Sequence, residues 1–297
     1  MINQKQRHIN KLIKKLIKKG LKYNYKKNNF EKAIQMFDKA IELNPNNANA
    51  YKYRGDVYML TNLEKAIEDY TKAIELKPNY ISAYSSRAAI YCFPFCDHLP
   101  LSKAIEDYAT IINYNANFCD AYENLGEIFF ENKEYECADI CFTRAIELRP
   151  KVFSYYIKRG KNYLELQEYE NAIKDFNTAL AVDDNIHIID WAYISLGEAY
   201  NLLKDYNKAI EFYTKAIEAT GKSRYDLLIQ YYKLRSEAYL QLGEKEKADV
   251  DLKLMKDTEI NMIICHKKIK YLYCLTVKSY KSRLKYTSSI SSCVIPM

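Results

Sequence analysis

The residue types best suited to chemistry in this 297-residue chain are its eight cysteines and four histidines. Cys92, Cys96 and His98 form the tightest group, two thiols and an imidazole within one short stretch. Thiolate and imidazole both ligate zinc, yet a closed zinc site takes about four ligands and no second pair stands nearby at metal-site spacing. Pro94 and Pro100 mark the stretch as an irregular excursion between helices. No metal and no other cofactor is expected. Cys137 and Cys141 lie one helical turn apart and read as small core hydrophobes. With Cys119, Cys265, Cys274 and Cys293 they make no disulfide framework, so a reducing, cytoplasmic compartment is expected. His8, His98, His187 and His266 fall in no nucleophile motif, and the chain lacks GxSxG, a Gly-rich phosphate loop and HExxH. Its many carboxylates read as solvated helix faces. No catalytic residue is named, and an enzyme with an unrecognised site stays an alternative without residues to carry it.

The charge is unevenly spread. The formal net charge is +7, but residues 1–30 carry about ten Lys/Arg and no acid, and 253–297 about nine basic residues against two acids. The body between them is therefore acidic by about ten charges. A phosphate-binding groove would need Lys and Arg along that body, so nucleic acid is an expected non-partner. The run KLIKKLIKKG at 11–20 resembles a basic amphipathic helix, with Leu12, Ile13, Leu16 and Ile17 on one side. This leaves a membrane-surface or nucleic-acid-associated adaptor working through the basic ends as an alternative. The polar start MINQKQRHIN has no secretory h-region, and no apolar stretch approaches the ~18 residues of a membrane span.

What could position any site is a repeat of roughly 34 residues. EKAIQMFDKAIELNP at 31–45 returns as KAIEDYTKAIELKP at 65–78, CADICFTRAIELRP at 137–150, NAIKDFNTALAVD at 171–183 and KAIEFYTKAIE at 208–218. Each copy sets an aromatic four residues after one Ala and three before the next, which puts all three on one helical face. Pro, where present, stops the helix. Upstream of the blocks, Tyr51-Gly55-Tyr58, Tyr122-Gly126-Phe129, Tyr156-Gly160-Tyr163 and Tyr193-Gly197-Tyr200 repeat offsets of four and three. Each unit is thus two amphipathic helices, A and B. Gly costs ~1 kcal/mol against Ala inside a helix, so its recurrence implies close helix approach, with the helix B Ala facing the Gly and rings beside them.

These residues resemble the tetratricopeptide repeat (TPR) family. The resemblance implies an all-α fold, a right-handed α-solenoid of about seven helix-turn-helix repeats. The units run about 13–47, 48–80, 81–118, 119–152, 153–189, 190–228 and 229–262. Residues 1–12 are expected as a basic extension, and 263–297 as a capping helix with a loosely ordered tail. In the third unit Ala88 stands for Gly; the seventh has Ser236 there and no closing Pro.

The resemblance also implies a non-enzymatic scaffold or adaptor that holds a peptide segment or helix of a partner protein on a concave helix A surface. The positions matching that surface are Asn49, Lys52 and Asp56, then Asp120, Glu123, Asn124 and Glu127. They continue with Lys158 and Lys161, with Trp191, Glu198 and Asn201, and with Lys233 and Glu237. Some members grip a chaperone's C-terminal carboxylate with Lys, Asn and Arg. Here only Lys52 fits that set, while Asp56, Ser86, Asp120 and Asn124 replace the rest. The fourth unit's acids favour a basic or mixed-charge segment.

Overall fold

The computed structural model describes residues 4–93, 99–182, 186–221, 224–265 and 267. Regular structure among them is entirely α-helical, arranged in two compact units, 1–150 and 151–297. The first holds four hairpins: α1 (Gln4–Lys27) with α2 (Phe30–Leu43), α3 (Ala48–Tyr58) with α4 (Leu63–Leu76), α5 (Ile81–Tyr91) with α6 (Leu101–Tyr114), and α7 (Cys119–Glu131) with α8 (Tyr135–Leu148). The second holds α9 (Phe153–Glu165) with α10 (Tyr169–Val182), α11 (Ile186–Leu202) with α12 (Tyr206–Ala219), and α13 (Tyr225–Gln241), followed by α14 over 245–265. Within each unit every hairpin packs on the next, as a stack of two-helix repeats does.

The helix B alanines are the seam. Ala33, Ala40, Ala66, Ala73, Ala104, Ala138, Ala145, Ala172, Ala179, Ala209 and Ala216 are all wholly buried. The ring between them fills the space under helix A. A Cβ built on Gly126 would lie 2.5 Å from a Phe142 ring carbon, and one on Gly55 2.8 Å from Tyr70. The glycine therefore faces the ring rather than the alanine, which corrects the sequence-based expectation. Helix A has no room for a side chain there because a flat aromatic lies across it.

Four A–B turns share one device. Lys133, Gln167, Lys204 and Gly243 take left-handed φ of 63°, 60°, 61° and 77°. The next residue donates its N–H back five residues, Glu134 to Phe129, Glu168 to Tyr163, Asp205 to Tyr200 and Glu244 to Tyr239, at 2.8–3.0 Å. These bonds satisfy carbonyls at the end of helix A and reverse the chain. Asn29, Asn47, Asn62 and Asp205 then cap the following helices through their side-chain oxygens.

A polar device is also built into the core. Arg54, Arg87, Arg159 and Arg235 each precede the Gly position of helix A and grip a buried Asp of helix B, which precedes the ring in the first three and Leu252 in the last. The acceptors are Asp69, Asp107, Asp175 and Asp251, each held by two bonds of 2.7–2.9 Å. The remaining Nη1 of three of them reaches the preceding hairpin, Arg54 to Asp38 Oδ1, Arg87 to Thr71 Oγ1 and Arg235 to Thr214 Oγ1. Planar guanidinium suits such two-pronged bonding. Burial disfavours the Arg87 and Arg235 charges, but the aspartate bonds raise both pKa values overall. In the fourth and sixth repeats the Arg/Asp positions hold Leu125/Cys141 and Leu196/Phe212. There the preceding hairpin offers Ala109, or Asn177 turned back to the Ile173 carbonyl.

α1 is continuous from Gln4 through the basic run, with no break at residue 12. Ile9, Ile13, Leu16 and Ile17 pack with Ala40, Ala50 and Ile41. Most of the apolar face that could have met a membrane is thus used inside the first unit. No helix among the described residues is long and apolar enough to cross a membrane. At the other end α14 leaves Val250, Ile260, Ile263 and Ile264 exposed. Residues 268–297, which carry the expected cap and tail, lie outside the described residues.

Candidate functional site

Tight packing of helix B leaves the helix A residues beside the Gly register to form any binding face. In the first unit they largely satisfy one another. Lys52 pairs with Asp56 at 2.8 Å, and Asp56 also accepts from the Tyr70 hydroxyl at 2.9 Å. Asn49 accepts from the Tyr80 hydroxyl at 2.8 Å. Asp120 is bonded by Arg149 at 3.0 Å, and Asn124 donates to the Asp120 carbonyl. Glu123 is half-buried. Glu127 is exposed, close enough to Cys92 that burial first and its charge second push that thiol up to about 11. The cluster of acids read from the sequence is thus partly neutralised by Arg149, a helix B residue of the same repeat. Lys52 is paired with Asp56.

The second unit differs. Lys158 and Lys161 of α9, Trp191 of α11 and Arg224 just before α13 line one cleft of about 500 Å³. Phe153, Ser154 and Ile157 complete it. Trp191 is 47% exposed, and the Lys161 ammonium sits 5.8 Å from its ring centroid. Arg224 is fixed by Asp190, which is fully buried and accepts from Arg224 Nη1 at 2.8 Å and Thr220 Oγ1 at 3.3 Å. Glu198 and Asn201 line a neighbouring cleft with Leu164, Tyr213 and Leu234. Burial raises the Glu198 pKa, against the pull of Lys161. Lys233 and Glu237 form an exposed pair at 4.0 Å, beside neither cation of α9.

Sequence reading thus found three members of the cleft and missed Phe153, Ser154, Ile157 and Arg224. Arg224 lies in a connection, so no helical register points to it. The available signal was Asp190, an acid at a helix A position that packs against its neighbours. Of the cysteine group, Cys96 and His98 lie outside the described residues, and no cluster of three metal-type ligands occurs among those described. Cys141 is buried, as expected for a packing residue, whereas Cys137 is exposed.

Stacked A–B hairpins with small residues at the seam define a helical-repeat protein. The chain belongs to the tetratricopeptide repeat family: three models of it, described as tetratricopeptide or TPR repeat, match 24–62 and 60–92, 120–152, and 151–222. Proteins of this family generally mediate protein–protein interactions. Among curated relatives, "Small glutamine-rich tetratricopeptide repeat-containing protein 2" of Saccharomyces cerevisiae is 29% identical over 128 residues, 40% of this chain and 36% of its own length. The chain thus spans little more than a third of that relative. Among solved structures, the C-terminal part of a TPR repeat-containing protein from Cytophaga hutchinsonii matches with TM-score 0.64 and 20% identity, covering 84% of this chain and 93% of that one. YrrB, described as a TPR protein with an unusual peptide-binding site, matches with TM-score 0.52 and 23% identity over 62% of this chain and 92% of its own. These likenesses establish the shared fold.

Proposed function

We propose that the protein is a non-enzymatic scaffold that holds a segment of a partner protein against its helix A faces. The observation that carries this reading is the cleft of the second unit, where an exposed tryptophan stands beside cations over an apolar floor. Exposed large aromatics in a preformed hollow are what interface anchors use. YrrB, among the structural relatives, is described as having a peptide-binding site, which is compatible with it. The helix A positions Asn49, Lys52, Asp56, Asp120, Glu123, Asn124, Glu127, Lys158, Lys161, Trp191, Glu198, Asn201, Lys233 and Glu237 are the candidate contacts. Those already bonded within the first unit would act by exchanging partners.

Site-specific photo-cross-linking tests this in cells of the native source. A photoreactive phenylalanine at Ser154 or Asn201 should give discrete cross-linked partners that the same group at Glu170 or Glu218 does not. Equal patterns from all four positions would remove the helix A face as the binding surface.

A further inference from the structure

We infer that α1 binds the surface of an anionic phospholipid bilayer through a row of cations on its outer face, a contact that goes beyond the scaffold reading and does not depend on it. Arg7, Lys11, Lys14, Lys18 and Lys22 recur at steps of four, three, four and four, which sets them on one face of the helix. Lys15 lies beside them, and Tyr25 continues the row. Ile9, Ile13, Leu16 and Gly20 repeat the first of those steps two residues later, about 200° round at 3.6 residues per turn. That opposite face is the one packed against α2 and α3. The six cations are therefore turned outward and exposed, and none of them makes a hydrogen bond or ion pair with another described residue. Asp38 and Asp56, on the helices behind, are bonded by Arg54 and Lys52. No acid occurs in residues 1–30. Like charges at i,i+4, as in Lys11–Lys15 and Lys14–Lys18, repel each other. A polyanion laid along the row relieves that repulsion.

The geometry favours a flat sheet of charge over a nucleic acid. From Arg7 to Lys22 the row runs straight for about 22 Å, at 1.5 Å per residue, on one uninterrupted helix. A helix that enters a major groove about 12 Å wide meets phosphates on its two flanks and bases along its middle. Here the middle of the outer face is itself cationic. A plane touches only the outermost line of a helix, which is the line these cations occupy. Clusters of this size are drawn to anionic leaflets by charge. Tyr25, 70% exposed at the end of the row, has the amphipathic ring found at membrane–water interfaces. With Ile9, Ile13 and Leu16 packed inside the first unit, binding rests on charge and not on insertion.

The test is flotation of the full chain with vesicles of phosphatidylcholine containing about 30% phosphatidylserine, against vesicles of phosphatidylcholine alone. The expected result is binding to the anionic vesicles only, present at about 0.1 M salt and lost at about 1 M, where the Debye length falls to about 3 Å. Each cation at such a surface changes affinity about fivefold. Lys11→Gln with Lys14→Gln and Lys18→Gln should therefore weaken binding at least about tenfold, and the same three changed to Glu should weaken it further. Lys103→Glu with Lys253→Glu and Lys256→Glu shifts the net charge as far as the Glu set does, at exposed lysines off the row. It should weaken binding by less than about threefold, because screening confines each charge to its neighbourhood. Circular dichroism establishes that the variants fold. Undiminished binding by the glutamine variant overturns the inference, as does an equal loss in the off-row variant. Equal flotation with phosphatidylcholine alone, or none with up to about 1 mM accessible anionic lipid, also overturns it. So does tighter binding, at equal phosphate concentration, to a DNA duplex of about 20 base pairs, which would make nucleic acid the ligand.

Discussion

Exchanging one buried ion pair for the apolar set of a neighbouring repeat tests the packing logic directly. Arg87 and Asp107 are side-chain exposed by only 17% and 5%, and Arg87 also bonds Thr71. Removing one partner of such a pair leaves an uncompensated charge, at a cost of about 3–5 kcal/mol. Arg87 keeps some water contact, so the lower end, about 3 kcal/mol, applies to Asp107→Ala and to Arg87→Leu. The triple change Thr71→Ala, Arg87→Leu and Asp107→Cys copies Ala109, Leu125 and Cys141 from the next repeat junction. It removes every charge at once and should cost less than about 1 kcal/mol, because apolar replacement of a whole buried set is often neutral. The coupling energy across the cycle is then at least about 5 kcal/mol in magnitude. Urea titration by circular dichroism measures it. Hydrogen exchange of α5 and α6 amides checks it locally, as stacked repeats can unfold in parts. Single changes costing under about 0.5 kcal/mol, or a triple variant as unstable as either single, would refute the reasoning.

Three further outcomes are expected. Gly126→Ala gains ~1 kcal/mol of helix propensity, but its Cβ meets Phe142 at 2.5 Å; a net loss is expected, and Gly126→Leu should cost about 1–3 kcal/mol, visible as a Tm several degrees lower. Lys133→Gly relieves a left-handed φ of 63° and should raise stability by up to about 1 kcal/mol; Lys133→Ala, which keeps the strain, should show no such gain in thermal melts. Burial raises the Glu198 pKa above its usual 4.5, so the folded state holds the proton more tightly than the unfolded one. Stability then falls as pH rises from about 4.5 through the folded value. Glu198→Gln should flatten that part of the pH–stability profile, and an unchanged slope would show that the carboxylate is not the titrating group.

The fold was legible in the residues because a helical face repeats at offsets the chain cannot hide. The Ala–aromatic–Ala block, the Gly four after Tyr and the closing Pro are local consequences of packing two helices closely, and they recur with every hairpin. The Arg–Asp sets also leave a trace, Arg before the Gly position and Asp before the ring in the first three, but only knowing that the two positions meet makes them a pair. The candidate site was half legible. Lys158, Lys161 and Trp191 lie in a helix A register, whereas Arg224 enters the cleft from a connection, held by Asp190 some thirty residues earlier.

The sequence alone therefore determined the two-helix unit, its number and the face on which variation is allowed, because these depend on contacts between residues close along the chain. Which charges meet was decided only by tertiary structure. Arg149 reaches back to Asp120 and Asp56 is claimed by both Lys52 and Tyr70, while Lys158, Lys161 and Arg224 converge on one hollow. Charge in a sequence is a count, and its effect depends on which opposite charges the fold brings within reach.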